Sequence, residues 1–328
     1  MRLGGFADYA VHISSESELL EALTWAEAKQ LPFRVIGGGS NIIWRDEGFA
    51  GLLIVNDIRG YEEVSATTTH TTLRVAAGEP WDNAVAISAQ HGLHGIELLS
   101  LIPGSSGATP VQNVGAYGTD ISKTLQSLRA YDTTTKAFVD IAKADCAFGY
   151  RTSRFKTSDS GRFVIVGITL KLANQLPHPP FYESLQRYLD EHDIHDYSPQ
   201  VLRDAVIAVR RSKLPDPKHV ANNGSFFANP IVAADHFARI KDEFPDAIGW
   251  ELPDGSVKVA AGWLVEKSGF RDYHDPSTGM ATWPQQSLVL INEHARSTKS
   301  LITFRDQIIA TVAEYFDITL EQEPELLP

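Results

Sequence analysis

A glycine-rich stretch near the middle of the chain has the residue types of a binding loop. Its seventeen residues, 102–118, include four glycines and two prolines but neither Lys nor Arg. Glycine lets the backbone approach a ligand closely, and successive N–H groups in such turns form concave anion sites. A phosphate bound here would therefore be held by backbone N–H groups and small hydroxyls. An ordinary surface loop is the alternative, although long irregular segments inside compact domains are usually functional.

A second glycine cluster, Gly-Gly-Gly-Ser-Asn, occupies residues 37–41. It lies between short apolar runs at 33–36 and 52–55, an order that favours a nucleotide-binding unit. It does not match the dinucleotide-binding fingerprint, because Ile42 stands where helix and strand need Gly or Ala to pack closely. The chain contains no Walker A sequence.

Three further positions carry side chains suited to catalysis, and each has a structural alternative. The Asn-Gly pair at 223–224 signals a turn that would display Ser225 beside two phenylalanines able to exclude water; a hairpin above an aromatic core is the alternative. Arg151 lies between an aromatic residue and a Thr-Ser pair, where a salt bridge would also account for it. Glu325 lies in an acidic tail, where a solvated charge is the usual outcome.

Metal-dependent and nucleophilic chemistry find no support in the sequence. The pairs His91/His94 and His192/His195 lack a third ligand at a spacing typical of zinc, so no metal site is predicted. Cys146 has no nearby basic residue to activate it and is interpreted as a small buried hydrophobe. A Gly-x-Ser-x-Gly nucleophile elbow does not occur.

Composition narrows the class of protein further. The net charge of −12 disfavours nucleic acid, although one basic run occurs at residues 210–213. No window approaches eighteen apolar residues and the first residues form no apolar segment, which argues against a membrane span or secretory signal. A single cysteine fits a reducing compartment, so a cytoplasmic protein is predicted.

The remaining pattern predicts an α+β chain. Ser15 and Glu18 form a capping box for a helix over residues 16–30, and Pro80 opens a helix that stops at Gly92. Further helices are predicted at 181–192, 199–212, 235–244, 260–267 and 300–316, and strands at 73–77, 125–132, 137–141, 163–172 and 288–292. Prolines at 215 and 217 mark a boundary before a second α+β domain.

Seven segments, in this order and at compatible spacing, resemble the UDP-N-acetylenolpyruvoylglucosamine reductase family, flavoenzymes of peptidoglycan precursor synthesis. The segments are residues 35–41, 102–118, 149–156, 213–230, 260–266, 285–292 and 323–325. The resemblance implies an α+β fold of the vanillyl-alcohol-oxidase type, with two FAD-binding subdomains and a C-terminal substrate-binding domain. It places these at residues 1–58 (with 318–328 returning to the first), 59–212 including a Tyr182 loop, and 213–317.

The resemblance also implies a reaction. NADPH reduces a non-covalent FAD, and the enolpyruvyl group of UDP-N-acetylglucosamine enolpyruvate is then reduced to the D-lactyl ether of UDP-N-acetylmuramate. Ser225 matches the proton donor, while Arg151 and Glu325 match the pair that stabilises the enol-like intermediate. Ser40 stands where covalent flavoproteins of this fold often carry His, so no covalent link is expected. The expected protein is a monomer in the cytoplasm that contributes to cell wall biogenesis, cell shape and cell division.

Binding residues carry over in two groups. Those that match substrate positions are Tyr150, Tyr182, Lys213, Asn229 and Gln286. Those that match cofactor positions are Gly37, Gly38, Gly39, Ser40, Asn41, Pro103, Gly104, Gly107, Ala108, Val111, Gln112, Asn113, Gly115 and Ala116.

The chain departs from the family pattern in two places. Residues 221–224 read Ala-Asn-Asn-Gly where Gly-Asn-Ala-Gly is more common, and Trp283-Pro284 replaces a basic or His-containing stretch. These departures concern the details of substrate contact more than the reaction, and two alternative functions stay open. One is another FAD-dependent sugar or aldonolactone oxidase of the same fold, which would need neither Ser225 nor Lys213. The other is a non-catalytic nucleotide-sugar binding protein.

Overall fold

A computed structural model describes residues 1–327, and its chain divides into two compact units. The larger unit comprises residues 7–39 and 49–210. The smaller unit comprises residues 1–6, 40–48 and the described chain from 211 onward. The predicted division into three domains stays a prediction.

The secondary structure is mixed. The helices are α1 (Glu16–Ala28), α2 (Trp81–Gln90), α3 (Glu183–Glu191), α4 (Pro199–Lys213), α5 (Ala234–Glu243), α6 (Ala261–Lys267) and α7 (Thr298–Phe316). The strands are β1 (Ala7–Ile13), β2 (Phe33–Ile36), β3 (Ile42–Trp44), β4 (Phe49–Asn56), β5 (Tyr61–Ala66), β6 (His70–Ala76), β7 (Gly115–Ala116), β8 (Thr119–Asp120), β9 (Leu125–Asp132), β10 (Ala137–Ala142), β11 (Phe163–Ala173), β12 (Ala221–Ser225), β13 (Ile231–Val232), β14 (Gly249–Glu251), β15 (Val257–Val259), β16 (His274–Asp275), β17 (Met280–Trp283), β18 (Gln286–Asn292) and β19 (Glu325–Leu327). Among residues 1–327, no helix is long and apolar enough to cross a bilayer.

Two sheets organise the larger unit. Strands β1, β4 and β2 form a parallel sheet in that order, with α1 packed on one face. The Ser15 side chain accepts the Glu18 N–H at the start of α1, as the capping prediction required. A five-stranded antiparallel sheet of order β10-β9-β11-β6-β5 contributes to the core that contains Trp81, Leu128 and Ile168. The predicted strands at 125–132, 137–141 and 163–172 are confirmed within one residue.

The smaller unit contains an antiparallel sheet of order β12-β18-β17-β16, which packs against α6 and α7. Its predicted helices at 235–244, 260–267 and 300–316 are confirmed within two residues. The apolar, β-prone run at residues 318–320 follows a long helix and by its composition could add a strand, but it forms none. Ile318 and Leu320 are buried in irregular chain, and the strand lies later, where β19 pairs in parallel with β3. Backbone pairing with a distant partner, rather than local β propensity, decides its position.

Candidate functional site

The two glycine-rich segments lie against each other in the larger unit. A Cβ atom placed on Gly37 would come within 1.8 Å of Ser105 Oγ and 2.9 Å of Ser105 Cβ. One placed on Gly38 would come within 3.2 Å of Gly104 Cα. Because a larger residue does not fit this approach, Gly37 and Gly38 are required for contact with the loop at residues 102–118.

The loop holds its own shape through hydrogen bonds to the framework. The Ser106 and Gly107 N–H groups donate to the carbonyls of Glu79 and Ala77, both at 2.8 Å. A Cβ on Gly107 would lie 2.4 Å from the Cβ of Ala77, so glycine is required here as well. Of the predicted cofactor residues, Gly107 is buried in this support and Pro103 is exposed. These hydrogen bonds hold this part of the loop in one conformation without a ligand.

Arg151 is fixed beside the loop. Its guanidinium donates a hydrogen bond of 2.6 Å to the Gly115 carbonyl and lies 5.4 Å from the centre of the Tyr150 ring. The neighbouring Gly149 carbonyl accepts a 3.0 Å hydrogen bond from the Asn113 side chain. The structure therefore brings Arg151 and Tyr150 to two predicted cofactor residues, Asn113 and Gly115.

Tyr182, a predicted substrate residue, lies at the same end of the loop. It precedes the first residue of α3, and its ring meets the Tyr117 ring edge-on with centroids 5.9 Å apart. Burial raises the pKa of the Tyr182 hydroxyl, and the negative charge of Glu183 acts in the same direction. Tyr182 is nevertheless 42% exposed, so its ring forms part of the open surface of the unit.

Ser225 is displayed by a bulge in the smaller unit. Gly224 has the predicted positive φ, at 71°, and the pairing of β12 with β18 is irregular between Asn222 and Ser225. This is a distortion within a strand rather than the hairpin turn that sequence offered as the alternative. Ser225 is exposed, whereas the next two residues, Phe226 and Phe227, are fully buried and anchor the backbone.

The segment at residues 40–42 supports the Ser225 bulge. The side-chain amide of Asn223 donates to the carbonyls of Ser40 and Ile42, at 2.9 and 3.2 Å. The sequence marked Asn223 as part of a turn signal and as a departure from the family pattern, but not as a residue that contacts Ser40 and Ile42. Two simultaneous carbonyl acceptors suit the two N–H groups of a carboxamide.

The same segment holds the tail that carries Glu325. The Glu325 N–H donates to the Asn41 carbonyl at 2.9 Å, and the Asn41 side chain donates to the Glu323 carbonyl at 3.3 Å. The Glu323 N–H in turn donates to the carbonyl of Phe226, next to Ser225, at 2.9 Å. The tail is therefore ordered, and Ser225 and Glu325 are both fixed through residues 40–42. A proline directly before Glu325 suggested a backbone that aims the side chain inward, but the Glu325 side chain is exposed.

Two predicted substrate residues meet at the start of α6. The Asn229 side-chain oxygen accepts the Ala261 N–H at 2.9 Å. The Gln286 Oε1 lies 3.0 Å from the position of a Cβ on Gly262, so a larger residue there would displace it. Lys213, the last residue of α4, is exposed.

Cys146 lies in a structural environment rather than a reactive one. The Cys146 thiol is buried and donates to the Ala142 carbonyl at 3.4 Å, and burial raises its pKa to about 11. This confirms the interpretation as a small buried residue, since a thiol with that pKa is not a nucleophile at neutral pH. Within residues 1–327, no group of three or more His, Cys, Asp or Glu is arranged to hold a metal ion.

Comparisons with known proteins give one family match in the N-terminal part of the chain and one in the C-terminal part. A family model described as an FAD binding domain matches residues 7–138, and one described as the UDP-N-acetylenolpyruvoylglucosamine reductase C-terminal domain matches residues 216–327. UDP-N-acetylenolpyruvoylglucosamine reductase from Ralstonia nicotianae is 40% identical over 330 residues, which cover 99% of this chain and 95% of that protein. The protein of the same name from Pseudomonas syringae pv. tomato is 39% identical, with 95% of this chain and 91% of that protein covered.

The fold agrees with a solved structure as well. The crystal structure of UDP-N-acetylenolpyruvylglucosamine reductase from Thermus caldophilus matches with a TM-score of 0.64 at 20% identity, covering 97% of this chain and 92% of that one. The predicted α+β fold of the vanillyl-alcohol-oxidase type, with a C-terminal domain, is confirmed. Because sequence similarity extends over nearly the whole chain, the chain belongs to the UDP-N-acetylenolpyruvoylglucosamine reductase family.

Proposed function

We propose that the chain catalyses the NADPH-dependent reduction of the enolpyruvyl group of UDP-N-acetylglucosamine enolpyruvate to UDP-N-acetylmuramate, with FAD as cofactor, in peptidoglycan precursor synthesis. The observation that carries the proposal is the common support of Ser225 and Glu325 by residues 40–42. A proton donor and groups that stabilise the enol-like intermediate are what this reduction needs beyond the flavin. The family membership supports the same reaction.

The glycine contacts fit an extended dinucleotide cofactor. A Cβ at Gly37 would collide with Ser105, and one at Gly107 would collide with Ala77. Both segments are therefore restricted to small residues at these positions, and their backbone is close to any ligand that binds beside them. We assign the flavin phosphates and ring edge to these two segments. When bound, FAD would accept hydride from NADPH and deliver it to the substrate.

The protein's own residues supply the proton and the charge. A serine hydroxyl is a weak acid, so Ser225 donates a proton only to a carbon that has become strongly basic, which is the centre adjacent to the reduced methylene. We assign stabilisation of the enol-like intermediate to Arg151 and Glu325. Preorganisation supports this role, since the Arg151 side chain and the Glu325 backbone are both hydrogen-bonded in the protein alone.

We assign the rest of the substrate to residues of matching chemistry. Lys213 and Tyr182 suit the diphosphate, because an exposed ammonium and a phenol both donate to phosphate oxygens. Asn229, Gln286 and Tyr150 suit the sugar and the enolpyruvyl group. In this proposal the protein acts as a cytoplasmic monomer without nucleic acid or membrane contacts, and residues 213–317 form the substrate domain.

A visible spectrum of the purified protein tests the function. We expect a flavin spectrum that bleaches anaerobically with NADPH and recovers on addition of the enolpyruvyl nucleotide. Recovery with air alone, unaffected by that nucleotide, would indicate the oxidase alternative, and a colourless protein would indicate the binding-protein alternative. Acid precipitation should release all yellow colour into the supernatant, and colour retained in the pellet would contradict a non-covalent flavin.

A further inference from the structure

Helix α4 carries two arginines on one face, and each reaches a different end of the loop at residues 102–118. Arg203 and Arg210 are seven residues apart, which is close to two helical turns, so their side chains leave the same side of the helix. Sequence analysis noted Arg210 only as part of a basic run and did not single out Arg203. The role of these arginines becomes visible only through their partners.

The start of the loop is fixed through a carboxylate. Arg203 is 8% exposed and donates two hydrogen bonds, of 2.6 and 2.9 Å, to the two carboxylate oxygens of Asp82 on α2. The same carboxylate accepts the Leu101 N–H at 2.5 Å. Leu101 directly precedes the loop and has a left-handed φ of 57°, a conformation that a leucine adopts only when its surroundings impose it.

The Asp82 carboxylate remains charged in this position. Burial by itself would raise its pKa, but the hydrogen bonds from Arg203 and the Leu101 N–H outweigh burial and lower the pKa. A charge-assisted pair with two parallel hydrogen bonds is both stronger and more directional than a neutral one. Arg203 therefore orients Asp82, and Asp82 orients the residue at which the loop begins.

The end of the loop also meets α4. The Tyr117 ring packs against the core formed by α3 and α4, and its hydroxyl interacts electrostatically with the Arg210 guanidinium. Tyr117 has a left-handed φ of 49°, so its backbone conformation also depends on its side-chain contacts. The Arg210 Nε is buried without a hydrogen-bond partner, an arrangement that costs free energy.

We propose that α4 clamps both ends of the glycine-rich loop, with Arg203, Asp82 and Arg210 as positioning residues for cofactor binding. The inference rests on the proposed FAD function and deepens it. None of the three residues touches the reacting atoms in this account. They act by keeping Leu101 and Tyr117 in left-handed conformations, so that the backbone between them is already shaped when the cofactor arrives.

The test measures FAD binding to apoprotein by quenching of flavin fluorescence, together with the visible circular dichroism of the bound flavin. We expect Arg203→Met and Tyr117→Phe to raise the FAD dissociation constant about tenfold, because the first removes two charge-assisted hydrogen bonds and the second removes the hydroxyl that interacts with Arg210. The dichroism of the remaining bound flavin should change, since the loop shape differs. Arg203→Lys keeps the charge without the two-pronged geometry, so only partial rescue is expected.

Two controls separate positioning from general stability. Arg187→Met removes an exposed pair with Glu183 on α3 and should leave the FAD dissociation constant and the dichroism unchanged. Leu189→Ala opens a cavity in the α3–α4 core, where Leu189 is fully buried, and should lower the melting temperature without the dichroism change.

Parent-like FAD binding by Arg203→Met and Tyr117→Phe would overturn the clamp, as would an equal loss of FAD binding and an equal dichroism change in Leu189→Ala. A parent protein that binds no FAD would overturn the clamp and the proposed function together. A parent that binds FAD, loses it in the clamp variants, yet is not reoxidised by the enolpyruvyl nucleotide would overturn the proposed function alone.

Discussion

Replacing Gly37 with alanine adds one methyl group at the contact between the two glycine-rich segments. The new Cβ would lie 1.8 Å from Ser105 Oγ and 2.9 Å from Ser105 Cβ, whereas ordinary contacts begin at 3.4 Å. A change of Ser105 rotamer moves the hydroxyl away but leaves the Cβ contact. The two segments must therefore separate by about 3.4 − 2.9 = 0.5 Å.

The backbone around Ser105 resists this shift. The Gly104 carbonyl accepts the Trp81 N–H at 3.0 Å, and Ser105 itself forms a β-bridge with Pro80. Overpacking of a fixed site by one methyl group typically costs about 1–3 kcal/mol. If this cost is carried by the conformation that binds the cofactor, the FAD dissociation constant rises by roughly 5-fold to 150-fold.

Titration of apoprotein with FAD measures the change directly, and urea unfolding of the apoprotein measures the cost to the fold. Gly92→Ala is the matched control, because Gly92 lies outside both glycine-rich segments, a Cβ there has no neighbour within 4 Å and only the positive φ of 71° opposes it. Ser105→Gly combined with Gly37→Ala removes the colliding side chain, so the double variant should recover most of the lost affinity.

Two results would refute the reasoning. Gly37→Ala with parent affinity and parent stability would show that the two segments separate without cost. A double variant with Ser105→Gly that is no better than Gly37→Ala would show that the Ser105 side chain is not the obstacle, and that the two segments do not meet as described.

Three further outcomes are expected. Ser225→Ala should leave flavin reduction by NADPH intact while slowing reoxidation by the enolpyruvyl nucleotide by about 10²-fold or more in stopped flow; equal slowing of both steps would mean that Ser225 only shapes the bulge. Glu325→Gln should lower kcat by roughly 10²–10³ with little change in KM, and reoxidation at the parent rate would return Glu325 to the role of a solvated tail charge. The folded-state pKa of Asp82 lies below its unfolded value, so its stabilising contribution is complete above the unfolded pKa and is lost as pH falls through the folded one. The melting temperatures of parent and Asp82→Asn should therefore differ most near neutral pH and converge in acid, and a constant difference at all pH values would contradict this linkage.

Much of the local structure follows from the sequence. The Ser15 cap predicts the start of α1 because a side-chain oxygen there satisfies an N–H that the helix leaves unpaired. The positive φ of Gly224 follows from the Asn-Gly pair, because glycine adopts left-handed conformations without steric cost. The glycine-rich runs at 37–41 and 102–118 identify themselves by composition, and the spacing of seven segments indicates the family and its reaction.

Contacts between distant segments could not be predicted in this way. That Gly37 meets Ser105, that residues 40–42 hold both the Asn223 side chain and the Glu325 backbone, and that α4 reaches both ends of the loop are all consequences of tertiary packing. The error at residues 318–320 has the same origin, since those residues have the composition of a strand but are buried in irregular chain.

The sequence by itself determined which residues can turn, cap, bind or donate a proton, because those properties are local. Only the tertiary structure decided which of them are neighbours, because a hydrogen-bonded partner can lie hundreds of residues away and burial alone does not name it.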